Sequence, residues 1–167
     1  MKPFRFCPVH GIELDQPDDE GGAYCTQCKR AWYRHSAPTV GCVIVREGRA
    51  LVAVRGSEPE KGRLDVPGGF LGPGEDPIEG LKREIREELD VEVDVSVEDC
   101  IGMTPHRYGD QGDFVLALGF RARLVGGEPR AGDDVADIRW VALDELDDLD
   151  FAWDHDKELI RKGLEHG

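Results

Sequence analysis

The chain has no long apolar run. Its longest, "VGCVIV" and "FVLALGF", fall far short of the roughly 20 residues a membrane-spanning helix needs. The opening "MKPFRFCPVHGIELD" lacks the apolar stretch of a secretory leader. The cytoplasm is therefore the expected compartment, and no membrane partner is expected. Positive charge is also scarce. Lys and Arg number 21 against 35 Asp and Glu, a net charge of −14. Such a surface repels a bare nucleic-acid backbone, so strong nucleic-acid binding is not expected. No internal repeat is visible.

What is present suits a folded domain. The 167 residues are 40% apolar, too rich in core-forming side chains for wholesale disorder. That length fits one domain of ordinary size with room for a small appendage. The acidity is uneven. Residues 1–35 hold five basic and five acidic residues, whereas 128–158 hold three and twelve. A solvated face is the plain reading of the acidic stretch, with high-salt adaptation or metal attraction as alternatives. The five cysteines, in the compartment expected, point to metal before disulfides.

Along the chain, two knuckles and a Gly/Asp-rich linker fill residues 1–35. Apolar runs at 40–45 and 50–54 flank Glu47-Gly48 and predict a hairpin. The stretch "SEPEKGRLDVPGGFLGPGE", broken by glycines and prolines, reads as loop. A helix is expected over 76–89, strands over 91–103 and 114–125, and a short strand at "ADIRWVAL". Short helices are expected at "DELDDL" and "DHDKELIRKGLEH". This order suggests helices on a mixed sheet, not an all-parallel one.

The helix is strongly signalled. Asp76 suits the N-cap, Pro77 the first turn, and Glu79 the third position of a capping box. Ile78, Leu81, Ile85 and Leu89 form its apolar stripe. At about 100° per residue, Glu84, Glu87 and Glu88 border that stripe, while Glu79, Lys82 and Arg86 face water. Like charges gathered at a partly buried edge are costly unless a cation neutralises them. Divalent ions with oxygen ligands do so. Arg83, four residues before Glu87, is placed to hold it. Glycines in "PGGFLGPGE" let backbone approach a ligand closely, and Gly68 can offer its carbonyl to the same ion.

Gly69, Glu75 and the run Arg83-Glu84-Ile85-Arg86-Glu87-Glu88 resemble the Nudix box, G-x5-E-x7-R-E-U-x-E-E-x-G-U. The match reaches Val91 and fails at Asp90, where the family has Gly. That position asks for a left-handed residue, and Asp is tolerated there at modest cost. "GRLDVPGG" is similar to the family's lead-in strand, with Leu64 where Trp is common. The resemblance implies a Nudix α/β/α sandwich and a magnesium- or manganese-dependent hydrolase of nucleoside diphosphates linked to a group X. It implies Glu84, Glu87 and Glu88 as metal ligands with the Gly68 carbonyl, Arg83 orienting a glutamate, and Glu75 in a supporting place. It also implies a small nucleotide substrate and allows a homodimer. The general base is open. It is Glu84 in some members and lies outside the box in others. Asp133, Asp134 and Asp137 are candidates for base or extra ligand, against a solvated turn.

Cys7, His10, Cys25 and Cys28 make C-x2-H-x14-C-x2-C. This spacing suits a tetrahedral, closed and therefore structural zinc. It resembles a zinc ribbon, giving a ribbon over 1–36 and a Nudix domain over 37–167. That arrangement is similar to the NADH pyrophosphatases, but "CIGMTPHRYGDQGD" replaces their S-Q-P-W-P-F-P motif, which disfavours NADH. Pro105 stands about where ADP-ribose-cleaving members carry proline, and Tyr108 near where dinucleoside-polyphosphate members carry tyrosine. The reading leans to an ADP-ribose-like substrate. The alternative is a binding module that senses a nucleotide without cleaving it.

Arg55, Phe70, His106, Arg107 and Tyr108 are candidates for substrate binding, the last three on an expected loop. Trp153 is a candidate for stacking a base, and Phe114 for the core. Cys42 and Cys100 are expected as buried small residues, and His155 as a surface histidine.

Overall fold

The computed structural model describes residues 4–16, 19, 21–109 and 113–165. Valine- and isoleucine-rich β3 (Ala37–Arg46) and β4 (Arg49–Arg55) form the expected hairpin. Its turn, Glu47-Gly48, has both φ angles positive, 51° and 71°. Such a turn matches the right-handed twist of the flanking strands.

The main sheet runs β10-β4-β3-β9-β7, with β5, β6 and β8 pairing β4, β3 and β9. These are β5 (Leu64–Asp65), β6 (Gly68–Phe70), β7 (Glu92–Asp94), β8 (Cys100–Tyr108), β9 (Asp113–Gly126) and β10 (Val135–Val141). β3 and β9 lie parallel, and their other neighbours antiparallel, so the sheet is mixed. Side chains alternate along β3. Cys42 and Ile44 join one apolar cluster with Leu81, Ile85 and Leu89 of α1 (Pro77–Leu89). Val43 joins a second cluster with Ile160 of α2 (Asp154–Glu165). Period-two alternation thus feeds two helical layers, giving an α/β/α sandwich.

A third, smaller cluster gathers Cys7, Leu14, Ala23 and Cys25 beside the two-stranded sheet of β1 (Ala23–Cys25) and β2 (Arg30–Trp32).

Asp76 caps α1, its Oδ1 accepting from the N–H groups of Ile78 at 2.9 Å and Glu79 at 3.2 Å. At the other end Asp90 takes φ 56° and ψ 37°, the left-handed conformation expected. Cys42 is fully buried in the core, and Cys100 packs against it.

Three elements differ from expectation. The loop before α1 contains the short strands β5 and β6, because its backbone pairs with β4 and β3. The strand expected over 91–103 breaks at a 3-10 turn, Val97–Asp99, where Asp99 accepts from Ser96 N–H at 2.8 Å. His106, Arg107 and Tyr108 lie on β8 rather than a loop, paired with Val115, Phe114 and Asp113. The helix expected to end at His166 runs Asp154–Glu165, and His166 lies outside the described residues.

Candidate active site

Two glycines seat the loop, Gly68 against β3 and Gly69 against α1. Gly68 has φ +148°, and a Cβ there would fall 2.0 Å from the Val40 carbonyl oxygen. A Cβ on Gly69 would fall 2.5 Å from the Glu84 carboxylate. Any side chain at Gly69 would displace that acid.

Arg83 organises the acids. Its Nε and Nη2 donate to Glu75 at 2.8 and 2.9 Å, and its Nη1 to Glu84 at 2.7 Å and Glu87 at 3.0 Å. Nη2 also donates to the Phe70 carbonyl at 3.3 Å. Bonding to Arg83, helped by the Gly72 N–H, holds the Glu75 carboxyl down at about 2. Glu84 is pushed up by burial, against the pull of Arg83.

Glu88 is buried, and its Oε2 accepts from the Gly68 N–H at 2.8 Å. Burial pushes its carboxyl up to about 9, with Asp134, Asp65 and Glu84 adding negative charge nearby. Glu87 stands at the rim, its side chain 49% exposed. Arg83 pairs with Glu84 and Glu87 but not with Glu88, so these oxygen donors stay net anionic, which suits a hard divalent cation.

Glu84, Glu88 and Gly68 border a cavity of about 320 Å³. Arg55, Phe70, His106, Tyr108, Asp133 and Asp134 line it as well. Asp134 Oδ2 accepts from Ser57 Oγ at 2.9 Å. Among the candidates, Arg83, Glu87, Arg107 and Asp137 do not line it. The Arg107 guanidinium lies 5.8 Å from the Phe114 ring, because alternation on β8 turns it away from His106 and Tyr108. Asp137 is within β10, where its Oδ1 accepts from the Ile138 N–H at 2.9 Å.

The same cavity holds groups that sequence reading missed. Asp65 pairs with Arg55 at 2.7 Å. Burial pushes its carboxyl up to about 6, against the pull of Arg55. Asp156 is 3% exposed, and its Oδ2 finds no hydrogen-bond partner among the described residues. Burial and nearby Asp65 raise its pKa well above the carboxylate range.

His155 is no surface histidine. Its ring lies 4.3 Å from that of His106, and burial lowers the pKa of both, His106 to about 4. The Tyr108 and Trp153 rings stack at 5.7 Å and 20°, and Arg55 lies 4.8 Å from the Trp153 ring. Asp65 and Asp156 carried no motif. Their one signal was an acid set directly against apolar neighbours, in "RLDVP" and "FAWDHD".

The N-terminal cluster also assembles. The ligand atoms of Cys7, His10, Cys25 and Cys28 lie within 4.8 Å of one another. Cys7 and Cys28 sulfurs are 3.4 Å apart, and His10 Nδ1 is 3.0 Å from Cys28 Sγ. The His10 and Cys28 N–H groups donate to the sulfurs of Cys7 and Cys25 at 3.4 and 3.2 Å. Three sulfurs and one ring nitrogen at these separations fit a tetrahedral zinc.

A mixed-sheet sandwich carrying this glycine loop and acidic helix defines a class, the pyrophosphohydrolases. The NUDIX domain family model matches residues 35–162, and the chain belongs to the Nudix family. It is 34% identical over 125 residues to an ADP-ribose pyrophosphatase of Methanocaldococcus jannaschii, covering 75% of this chain and 72% of that one. It is 40% identical over 115 residues to a putative 8-oxo-dGTP diphosphatase 2 of Mycobacterium tuberculosis, covering 68% and 78%. It is 29% identical over 147 residues to the NAD-capped RNA hydrolase NudC of Stutzerimonas stutzeri, covering 85% of this chain and 49% of that one. A NUDIX hydrolase from Nitrosomonas europaea superposes with TM-score 0.76 at 22% identity, over 98% of this chain and 92% of that one, a likeness of fold. The chain is a Nudix pyrophosphohydrolase. Among the described residues, no helix is long and apolar enough to cross a membrane.

Proposed function

We propose that this protein hydrolyses the diphosphate bond of a nucleoside diphosphate joined to a group X, with an ADP-ribose-like substrate favoured. One observation carries the reading. Arg83 holds Glu84 and Glu87, the Gly68 N–H holds Glu88, and Glu84 and Glu88 line the cavity, where Glu88 is kept short of compensating charge.

These three carboxylates and the Gly68 carbonyl would hold magnesium or manganese. When bound, such an ion neutralises diphosphate charge and lowers the pKa of water. Arg83 fixes the directions of Glu84 and Glu87, and Glu75 fixes Arg83. Asp133 and Asp134, at the same cavity, are candidates to accept the water's proton, as is Glu84. The aromatic face of Trp153 and the buried polar atoms of Asp156 and His106 suit a planar base with polar edges. Arg55 beside them suits the sugar or phosphate. Favouring ADP-ribose rests on Pro105, on this end of the cavity and on likeness to the archaeal pyrophosphatase.

Residues 1–36 are read as a ribbon holding structural zinc, and 37–167 as the hydrolase. A homodimer and a cytoplasmic setting belong to the same reading. The test is turnover of a panel with magnesium and with manganese, recording product masses. The panel holds ADP-ribose, other nucleoside diphosphate sugars, NADH, dinucleoside polyphosphates and nucleoside triphosphates. Cleavage between the two phosphates of ADP-ribose is expected. Binding of nucleotide with no turnover of any would favour a sensor instead.

A further inference from the structure

Glu84, Asp133 and Asp134 all border the cavity, and they differ in how they are held. Glu84 Oε1 accepts from Arg83 at 2.7 Å, and this acid is already engaged at the ion. Asp133 stands at φ 45°, and its carboxylate has no hydrogen-bond partner among the described residues. Asp134 is fixed twice. Ser57 Oγ donates to its Oδ2 at 2.9 Å, and the Gly56 N–H donates to its carbonyl at 2.7 Å. A Cβ on Gly56 would fall 2.3 Å from that carbonyl oxygen, so this approach requires glycine.

The segment that carries Asp134 hangs from α1 itself. The N–H groups of Arg130 and Gly132 donate to the Leu89 and Glu88 carbonyls at 3.0 and 2.8 Å. Those carbonyls belong to the last turn, which lacks partners within the helix. A Cβ on Gly132 would lie 2.8 Å from the Glu87 carbonyl oxygen. On its other side the segment enters β10, where Val135 faces Arg55 and the register with β4 shifts before Asp137. Bulges of this kind re-aim neighbouring side chains. Asp134 is thus tied both to the helix of the glutamates and to the end of β4.

A proton acceptor works only when held within reach of its water. Ser57 occupies Oδ2 of Asp134. Oδ1 has no partner among the described residues and is left for the water. The hydroxyl of Ser57 therefore decides which way the acid points.

We propose that Asp134 accepts the proton of the attacking water and that Ser57 is the positioning residue that turns it to the task. The proposal rests on the hydrolase reading above. In the step, the water oxygen bonds to phosphorus and its proton passes to Asp134. The bond from that phosphorus to the bridging oxygen breaks, and its electron pair leaves on the other phosphate.

Steady-state turnover of the best substrate of the panel, by the full chain with magnesium titrated, tests it. Asp134→Asn should lower kcat by about a hundredfold or more, the scale of a lost general base, with half-saturating magnesium unchanged. Asp133→Asn, which keeps a residue tolerant of positive φ, should lose less. Ser57→Ala should lower kcat by about tenfold, the scale of one hydrogen bond to a charged group, with KM unchanged. Ser57→Thr keeps the hydroxyl and should restore kcat. In the Asp134→Asn background, Ser57→Ala should cost nothing further. A raised magnesium requirement in Asp134→Asn makes it a ligand and overturns the assignment, as does an equal or larger loss in Asp133→Asn. A Ser57→Ala loss that persists in full in Asp134→Asn, or that Ser57→Thr does not repair, marks a structural role and overturns the positioning. Wild-type turnover with kcat unmoved in Ser57→Ala overturns this proposal alone. No turnover by wild type overturns the hydrolase reading and this proposal with it.

Discussion

Arg83 makes five contacts within 3.3 Å, four of them to three separate acids. A planar fork of donors does this, and an ammonium cannot. Arg83→Lys should therefore behave like Arg83→Ala. Each is expected to lower kcat by at least about tenfold, the scale set by misplaced catalytic groups, with circular dichroism unchanged. Wild-type kcat in Arg83→Lys would show that charge alone suffices.

Glu88 gives a pH signature. Its folded pKa of about 9 lies above the ordinary carboxylate value of 4.5. The unfolded chain ionises first, so stability is fully present below about pH 4.5 and is lost as pH climbs toward 9. Asp65, raised to about 6, and Asp156, raised well above the carboxylate range, share that sign, so the Glu88 part is read above pH 6.5 as the difference between wild type and Glu88→Gln. There the thermal midpoint of the metal-free chain should fall with pH, and Glu88→Gln should flatten that fall. A flat wild-type curve would contradict the burial argument. The three glutamates were legible because they share one helix, where angle follows from spacing. Asp65 and Asp156 were not. They lie far apart in sequence, and only the backbone pairing of Leu64 with Asp150 and Ala152, just ahead of α2, brings them to one cavity.

The best-read element is α1, whose boundaries are set by local chemistry. Asp76→Ala removes the cap and is expected to cost about 1 kcal/mol in chemical denaturation. Asp90→Gly relieves a side chain held at φ 56° and should gain up to about 1 kcal/mol, without altering kcat. A loss of stability there would mean the Asp90 side chain contributes something the geometry does not reveal. β8 shows the opposite case. Its polar end, His106 to Tyr108, reads as loop in isolation and becomes strand because β9 offers hydrogen bonds alongside it. That pairing also decides which side chains face the cavity. It accepts His106 and Tyr108 and excludes Arg107, a distinction no loop assignment could make.

At the scale of the whole molecule, the sandwich followed from element order and the Nudix resemblance. The parallel pairing of β3 with β9 was not legible, because it joins segments far apart in sequence with no turn to announce it. The Cys and His spacing was legible, since two knuckles prefigure a tetrahedral site. Zinc at about one per chain is expected by elemental analysis, and Cys25→Ser should abolish it. Retention of zinc in that variant would remove the ribbon.

The most direct test of the central claim is the turnover of ADP-ribose, in magnesium and in manganese, by Glu88→Gln beside wild type, with Glu87→Gln as companion. Wild type should cleave the diphosphate. Each variant should lose about two orders of magnitude or more in kcat, the scale of a lost electrostatic group, while its melting transition stays cooperative. Near-wild-type turnover in both variants would contradict the account, because Glu87, held by Arg83, and Glu88, held by the Gly68 N–H, would then not hold the ion that cleaves the substrate.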